Sequence, residues 1–282
     1  LYIKQPDLPF DLYLVNVVAA DDQTLMKVSE EMGLALNLDE MRAIKARYSL
    51  LKRLPTDVEL QMLAQTWSEH CYHKTFKGVV EFNGRRVENV LKKYIARVVR
   101  ELKPSWCVSV FEDNAGIVEL GDGYAVAIKV ETHNHPSAIE PFGGAATGVG
   151  GVIRDILGVW GDPIANIDVL CFGPLDYPYD KLPRGVKHPR YLYRGVVAGI
   201  GHYGNNMGIP TVCGAIHFDE GYVGNVVVYC GCVGLLPVDK YVKRARPGDY
   251  LVLAGGRTGR DGIHGVTFAS AELTEESEEV SR

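Results

Sequence analysis

The sequence predicts an α+β chain, and three observations carry that assignment. Apolar runs at 107–111, 116–120 and 124–131 follow one another across short breaks, as strands joined in one sheet do. Helix-period segments at 152–160 and 191–203 then alternate with apolar runs at 164–173, 209–218 and 224–236. The 31 glycines, dense between 143 and 234, mark backbone brought close to something. With 282 residues and 46% hydrophobic content, the chain can bury the core of one large domain or two smaller ones.

Residues 1–24 mix short extended runs with polar breaks. Helical patterning begins near Gln23 and resumes after Gly33, with Asp39 as the expected cap of the segment MRAIKARYSLLKRL. Thr56 and Glu59 form a capping-box pattern, and Leu60, Leu63, Trp67 and Cys71 repeat on one face. A single helix is therefore expected to reach Cys71, with Glu69 and His70 off its apolar stripe. Val79 to Val87, with Asn83-Gly84 inside, reads as a hairpin, and a helix is expected over 88–102. Gly161-Asp162-Pro163 stops the helix at 152–160, and a loop rich in Pro and Tyr fills 174–190. A further unit is expected from Pro237, with a strand at Tyr250–Ala254, the run GGRTGRDGIHG and an acidic segment ending at Arg282. The expected domains are thus a helical or linker region at 1–54, a binding domain at 55–236, and the truncated start of a second domain at 237–282.

A net charge of -5 argues against nucleic acid as the main partner. No apolar stretch is long enough to span a bilayer, and the first ten residues lack the basic and apolar regions of a signal peptide. The six scattered cysteines read mostly as buried free thiols of a reducing cytoplasm, and Cys230-Gly-Cys232 lacks the second pair of a structural zinc site.

The chemistry concentrates in KVETHNHPSAIEPFGGAATGVGGVIRD, 129–155. In the strand ending at Glu131, Lys129 and Glu131 share a face, and if the extended run continues His133 and His135 join them, about 6.6–6.8 Å apart. A lysine suits phosphate, a carboxylate suits Mg²⁺, and a histidine moves protons near neutral pH. The glycine-rich stretch 142–151 then reads as a loop opening a helix, where backbone amides could hold an anion, although tight packing of a turn is the commoner cause of such a run. Arg154 and Asp155 would fall in that helix's first turn, Arg placed for a phosphate or carboxylate and Asp for a metal. His70, Cys71, His73, His133 and His135 also offer zinc-type spacings, but the lysine and carboxylates fit oxygen-rich ligands better. Gly199-Ile-Gly201-His-Tyr-Gly204 matches the dinucleotide fingerprint by letter and fails it by context, so it reads as a helix end and turn. Gly259 to Gly265 reads either as a second anion loop or as a plain turn.

With these segments in hand, the chain resembles the phosphoribosylformylglycinamidine synthase family, within the aminoimidazole ribonucleotide synthase-like superfamily. The resemblance rests on TWSEHC (66–71), KVETHNHPSAIEPFGGAATGVGG (129–151), Arg154-Asp155, GIGHYGNNMGIPTV (199–212) and GGRTGRDGIHGVTFAS (255–270). It implies a half-barrel β-sheet with flanking helices, followed by the start of an α/β domain, in the N-terminal half of a cytoplasmic synthetase subunit. It further implies an ATP-dependent conversion of formylglycinamide ribonucleotide to its amidine, with ammonia supplied from glutamine by a glutaminase subunit and a small accessory subunit alongside. On that resemblance His70 and His133 are catalytic and Lys129 contacts ATP. Thr132, His133, Asn134, His135 and Arg154 hold the substrate, and Glu131 and Asp155 hold Mg²⁺. Relatives carry a tyrosine three residues after the histidine of Ser-Glu-His-Cys; here His73 stands there with Tyr72 beside it, so the second ATP contact falls on either. Other superfamily ATPases, of the aminoimidazole ribonucleotide, hydrogenase-maturation or selenophosphate type, are the alternatives, as is a non-catalytic nucleotide-binding module.

Overall fold

The computed structural model describes residues 1–6, 8–257 and 265. Two compact units divide between Tyr94 and Ile95. In the first, β1 (Tyr2–Lys4) pairs antiparallel with β2 (Tyr13–Val15), and three helices follow: α1 (Asp22–Glu31), α2 (Leu38–Leu51) and α3 (Asp57–Thr66). Val15, Leu25, Val28, Met41, Ile44 and Leu60 are buried together as their core. The expected box at Thr56 forms, with Glu59 N–H donating to the Thr56 hydroxyl at 3.0 Å and Thr56 N–H to the Glu59 carboxylate at 2.9 Å. The cap of α2 is Asn37 and not Asp39. Asn37 exchanges the same reciprocal bonds with Glu40, which satisfies two N-terminal amides where Asp39 would satisfy one.

Helix α3 stops at Thr66, short of the expected end. The Ser68 hydroxyl accepts from Cys71 N–H and starts a separate turn, α4 (Glu69–Tyr72), which His73 closes in the left-handed region before α5 (Lys74–Lys77). Cys71 is therefore exposed and does not continue the apolar stripe. A serine inside a helical pattern competes for backbone amides, and here that competition wins. The hairpin of β3 (Val79–Phe82) and β4 (Arg85–Glu88) turns at Asn83 and Gly84, both at positive φ as a type I′ turn requires. Glu88 belongs to β4, so the next helix starts later than expected: a π turn over Leu91–Ile95 leads into α6 (Ala96–Leu102).

The second unit is built on one sheet. Strands β5 (Cys107–Ser109), β6 (Gly116–Gly121) and β7 (Tyr124–Thr132) are followed by α7 (Asn134–Ile139), α8 (Pro141–Gly158), β8 (Asp162–Phe172), α9 (Pro189–Met207), β9 (Thr211–Phe218) and β10 (Val227–Pro237). The strand order is β5-β6-β7-β10-β8-β9. Every neighbour is antiparallel except β8 and β9, which run parallel with α9 as their crossover. Ala125, Ala127, Ile153, Ile156, Val196 and Cys232 are among the buried residues between the sheet and the helices. The opposite face is bare and apolar: Tyr124, Ile128, Val130, Val169 and Tyr229 are 37–51% exposed. This is an α+β sheet with flanking helices, as the sequence and the family resemblance lead one to expect.

The glycine-rich stretch is not a loop. Residues 141–158 are all helical, so Arg154 and Asp155 lie in the last turns of α8 instead of the first turn of a later helix. Each helical glycine costs about 1 kcal/mol against alanine; close packing offsets it. A Cβ on Gly148 would stand 2.9 Å from His133 Cβ and 3.1 Å from Cys230 Sγ, and one on Gly199 of α9 would stand 2.2 Å from the Phe142 carbonyl oxygen. Likewise Gly199-to-Gly204 lies inside α9, which ends only at Gly208 with φ 72°. Tyr250–Ala254 forms no strand: those side chains are almost wholly exposed and pair with nothing among the described residues. The 259–264 motif, with Asp261 and His264, lies outside the described residues.

Candidate functional site

Alternation along β7 turns Ala125, Ala127, Lys129 and Glu131 toward α8, and α8 returns Asp155 to meet them. The Lys129 ammonium lies 3.0 Å from Asp155 Oδ2 and 3.3 Å from Glu131 Oε2. The lysine side chain is 26% exposed and that of Asp155 15%. Burial works against the charged lysine, but the hydrogen bond and charge of Asp155, with Glu131 behind it, outweigh it and raise its pKa above the ordinary value. Two carboxylates converging on one cationic centre are also the hard-oxygen donor set that Mg²⁺ takes from a protein, the rest of its shell coming from water and phosphate.

His133 and His135 do not continue the strand face. Strand β7 ends at Thr132, where Asn134 Oδ1 accepts from Val228 N–H at 2.8 Å and His133 N–H donates to the Val228 carbonyl at 2.8 Å. The asparagine side chain thus takes over a ladder bond and frees its own backbone to begin α7, while Ser137 Oγ donates to the His133 carbonyl at 2.6 Å. Thr132 to His135 therefore form the joint between strand and helix, directly after Glu131. Arg154 is exposed on α8.

In the first unit, His70 sits in α4 with Cys71 Sγ 3.7 Å from its Nδ1. The Glu69 carboxylate accepts from Thr75 N–H at 3.1–3.2 Å and folds the Ser-Glu-His-Cys-Tyr-His segment on itself. His73 holds φ 56° and ψ 55°, a conformation uncommon for a side chain other than Gly or Asn, and Lys77 lies 4.3 Å over the Tyr72 ring.

Two polar residues escaped the sequence reading. Register places Cys230 of β10 opposite both Glu131 and Asp168, and Cys232 opposite both Lys129 and Asn166. Asn166 is fully buried with both amide atoms unpartnered, and Asp168 is 7% exposed with Oδ1 unpartnered. Thr211 Oγ1 lies 3.4 Å from Asp168 Oδ2. Asp168 lies in the lining of an open cleft of about 490 Å³ whose other walls include Leu170, Val197, Ile200, Thr211 and Ile216. Polar residues two apart inside an apolar strand were the available signal, since that spacing puts both on one face. Burial raises the Asp168 pKa and, with the Asp168 charge second, pushes the Cys232 thiol up to about 11.

This carries a stability prediction. A carboxyl whose folded pKa is raised contributes its stability below the unfolded value of 3.8 and loses it as pH rises through the folded value. Asp168→Asn should therefore raise the melting temperature at pH 7, and the gain should shrink as pH falls toward 4. Thermal melts across that range check it; a lower melting temperature at pH 7, or a gain independent of pH, contradicts it.

A family model for the N-terminal domain of AIR synthase related proteins matches residues 112–236, and one for the formylglycinamide ribonucleotide amidotransferase linker domain matches 25–74. Among curated relatives, phosphoribosylformylglycinamidine synthase subunit PurL of Thermoplasma acidophilum is 46% identical over 92% of this chain and 32% of its own length. The Moorella thermoacetica subunit is 46% identical over 85% of this chain and 29% of its own. The solved structure of T. maritima PurL complexed with FGAR has a TM-score of 0.60 at 38% identity, covering 84% of this chain and 34% of that one. Its ATP complex gives 0.57 at 38%, covering 86% and 35%. The chain spans about a third of the length of the curated relatives it matches. The sheet with α8 and α9 on one face is thus an AIR synthase-related N-terminal domain. The chain as a whole belongs to the family of PurL, the synthetase subunit of phosphoribosylformylglycinamidine synthase. No helix among the described residues is long and apolar enough to cross a membrane.

Proposed function

We propose that this chain supplies one half of the site in which ATP activates the amide of formylglycinamide ribonucleotide for attack by ammonia. The observation that carries the reading is the meeting of Lys129, Glu131 and Asp155 beside the strand–helix joint Thr132–His135. Glu131 and Asp155 hold Mg²⁺, which screens phosphate charge when bound. Lys129 contacts the ATP phosphates, with His73 or Tyr72 as a second nucleotide contact. Thr132, His133, Asn134, His135 and Arg154 hold the substrate. The amide oxygen takes the terminal phosphoryl group of ATP as its bond to the departing ADP breaks, and ammonia adds at the amide carbon. Phosphate then departs as His133 accepts a proton from the nitrogen, with His70 as a second catalytic group.

The similarity to the FGAR and ATP complexes of T. maritima PurL supports this substrate pair, and the similarity to PurLQS of that organism (TM-score 0.51) supports accessory subunits, which we assign as a glutaminase and a small partner. The bare apolar sheet face is larger than isolated surface residues explain, and we infer that a second sheet of the same kind covers it. Full-length protein given Mg²⁺, ATP and ammonium should release ADP only when formylglycinamide ribonucleotide is present. Release driven instead by another superfamily substrate, or none under any substrate, overturns the reading.

A further inference from the structure

We propose that Lys129 is the built-in cation of the nucleotide-free site: it holds Glu131 and Asp155 together before a divalent ion arrives, and that ion binds only by displacing its ammonium group. This rests on the reading of the two carboxylates as metal ligands. One nitrogen bonds an oxygen of each, at 3.0 and 3.3 Å, so the point on which both carboxylates converge is already held by a positive charge. Mg²⁺ draws its oxygen ligands to about 2.0–2.1 Å. An ion between these two carboxylates therefore occupies the space of the ammonium, and two cations cannot share it. Arg154, the residue before Asp155 on α8, is exposed to solvent, whereas the Lys129 ammonium lies against both carboxylates.

The consequence is an ordered exchange. The lysine stem is flexible and its head is a compact charge, so a displaced ammonium can swing outward without moving the backbone. The group it meets there is the anionic phosphate that arrives with the metal. Metal entry and phosphate capture are then one event: the ion releases the lysine, and the released lysine gains a new counter-charge. In the absence of nucleotide the lysine suppresses metal binding, because the ion must break two ion pairs to enter. With nucleotide present the same lysine favours the loaded state.

The test is Mn²⁺ binding to nucleotide-free, full-length protein, read from the EPR signal of free Mn²⁺. Lys129→Met should bind Mn²⁺ more tightly than wild type by about tenfold, the factor that ~1.4 kcal/mol represents, and Lys129→Gln should do the same. Asp155→Asn should weaken that binding in every background. If Asp155→Asn weakens binding but both lysine variants bind no more tightly than wild type, the displacement proposal fails while the metal reading stands. If Asp155→Asn changes nothing, the metal reading fails and takes this proposal with it. Because either lysine variant removes the ammonium that Glu131 and Asp155 share, thermal melts supply a second readout that does not need turnover. Added Mn²⁺ should raise the melting temperature of Lys129→Gln by more than that of wild type, and an equal rise counts against the proposal.

Discussion

Gly199→Ala destabilises the second unit severely, with a loss of about 3 kcal/mol or more. The added Cβ would lie 2.2 Å from the Phe142 carbonyl oxygen and 3.1 Å from the Ala146 backbone nitrogen. Both obstacles are backbone of α8, so no rotamer change relieves them; the two helices must separate. Overpacking a core ordinarily costs about 1–3 kcal/mol where side chains can adjust, and here the strain falls on a helix–helix contact that fixes α8 over β7 and β10. Alanine's better helix propensity returns only about 1 kcal/mol. Separation of α8 also moves Asp155 from Lys129, so the substitution should weaken the ion cluster along with the fold. Chemical denaturation with fluorescence and circular dichroism measures the stability. Gly201→Ala in the same helix meets nothing within 4 Å and should be near neutral or mildly stabilising. Equal behaviour of the two variants would show that close approach is not what these glycines serve.

That pair also shows why the glycine-rich stretch misled. Glycine's cost in a helix is local and visible in the sequence, whereas the neighbours that repay it, Phe142 for Gly199 and Cys230 for Gly148, are 57 and 82 residues away and invisible to any short window. Features whose partners are close in sequence were legible: Thr56 with Glu59, Asn83 with Gly84, and the alternation that sets Lys129 and Glu131 on one face. The Asn37 cap was within reach too, since Glu40 stands three residues on, but Asp39, two residues beyond Asn37, drew the reading. Asp155 was legible as a candidate ligand but not as the partner of Lys129, because only the return of α8 over β7 joins them. Asn166 and Asp168 were lost inside a strand whose apolar neighbours dominate its pattern. The path of 132–135 turned on the bonds of His133 and Asn134 to Val228, which span 95 and 94 residues.

His133→Ala in the full-length protein should lower turnover by about 10²–10⁴-fold, the ordinary worth of a positioned general base. The backbone of His133 makes the bonds that end β7, its N–H to Val228 and its carbonyl to the Ser137 hydroxyl, and alanine retains both. Alanine also keeps the Cβ that would touch a side chain at Gly148, so the packing of α8 is preserved while the imidazole is removed. Thermal stability should therefore change little, and steady-state release of ADP should fall through kcat with the KM values for ATP and formylglycinamide ribonucleotide nearly constant. That split separates the two roles assigned to this residue. An interaction made only in the transition state lowers kcat and kcat/KM together, whereas one that simply holds substrate raises KM at constant kcat. A raised KM for the ribonucleotide with kcat intact would leave His133 as a substrate-holding group beside Asn134 and pass the proton to another side chain, His70 being the candidate. Full activity of the variant would remove His133 from the reaction altogether, leaving Thr132, Asn134 and His135 as the substrate-holding part of the joint.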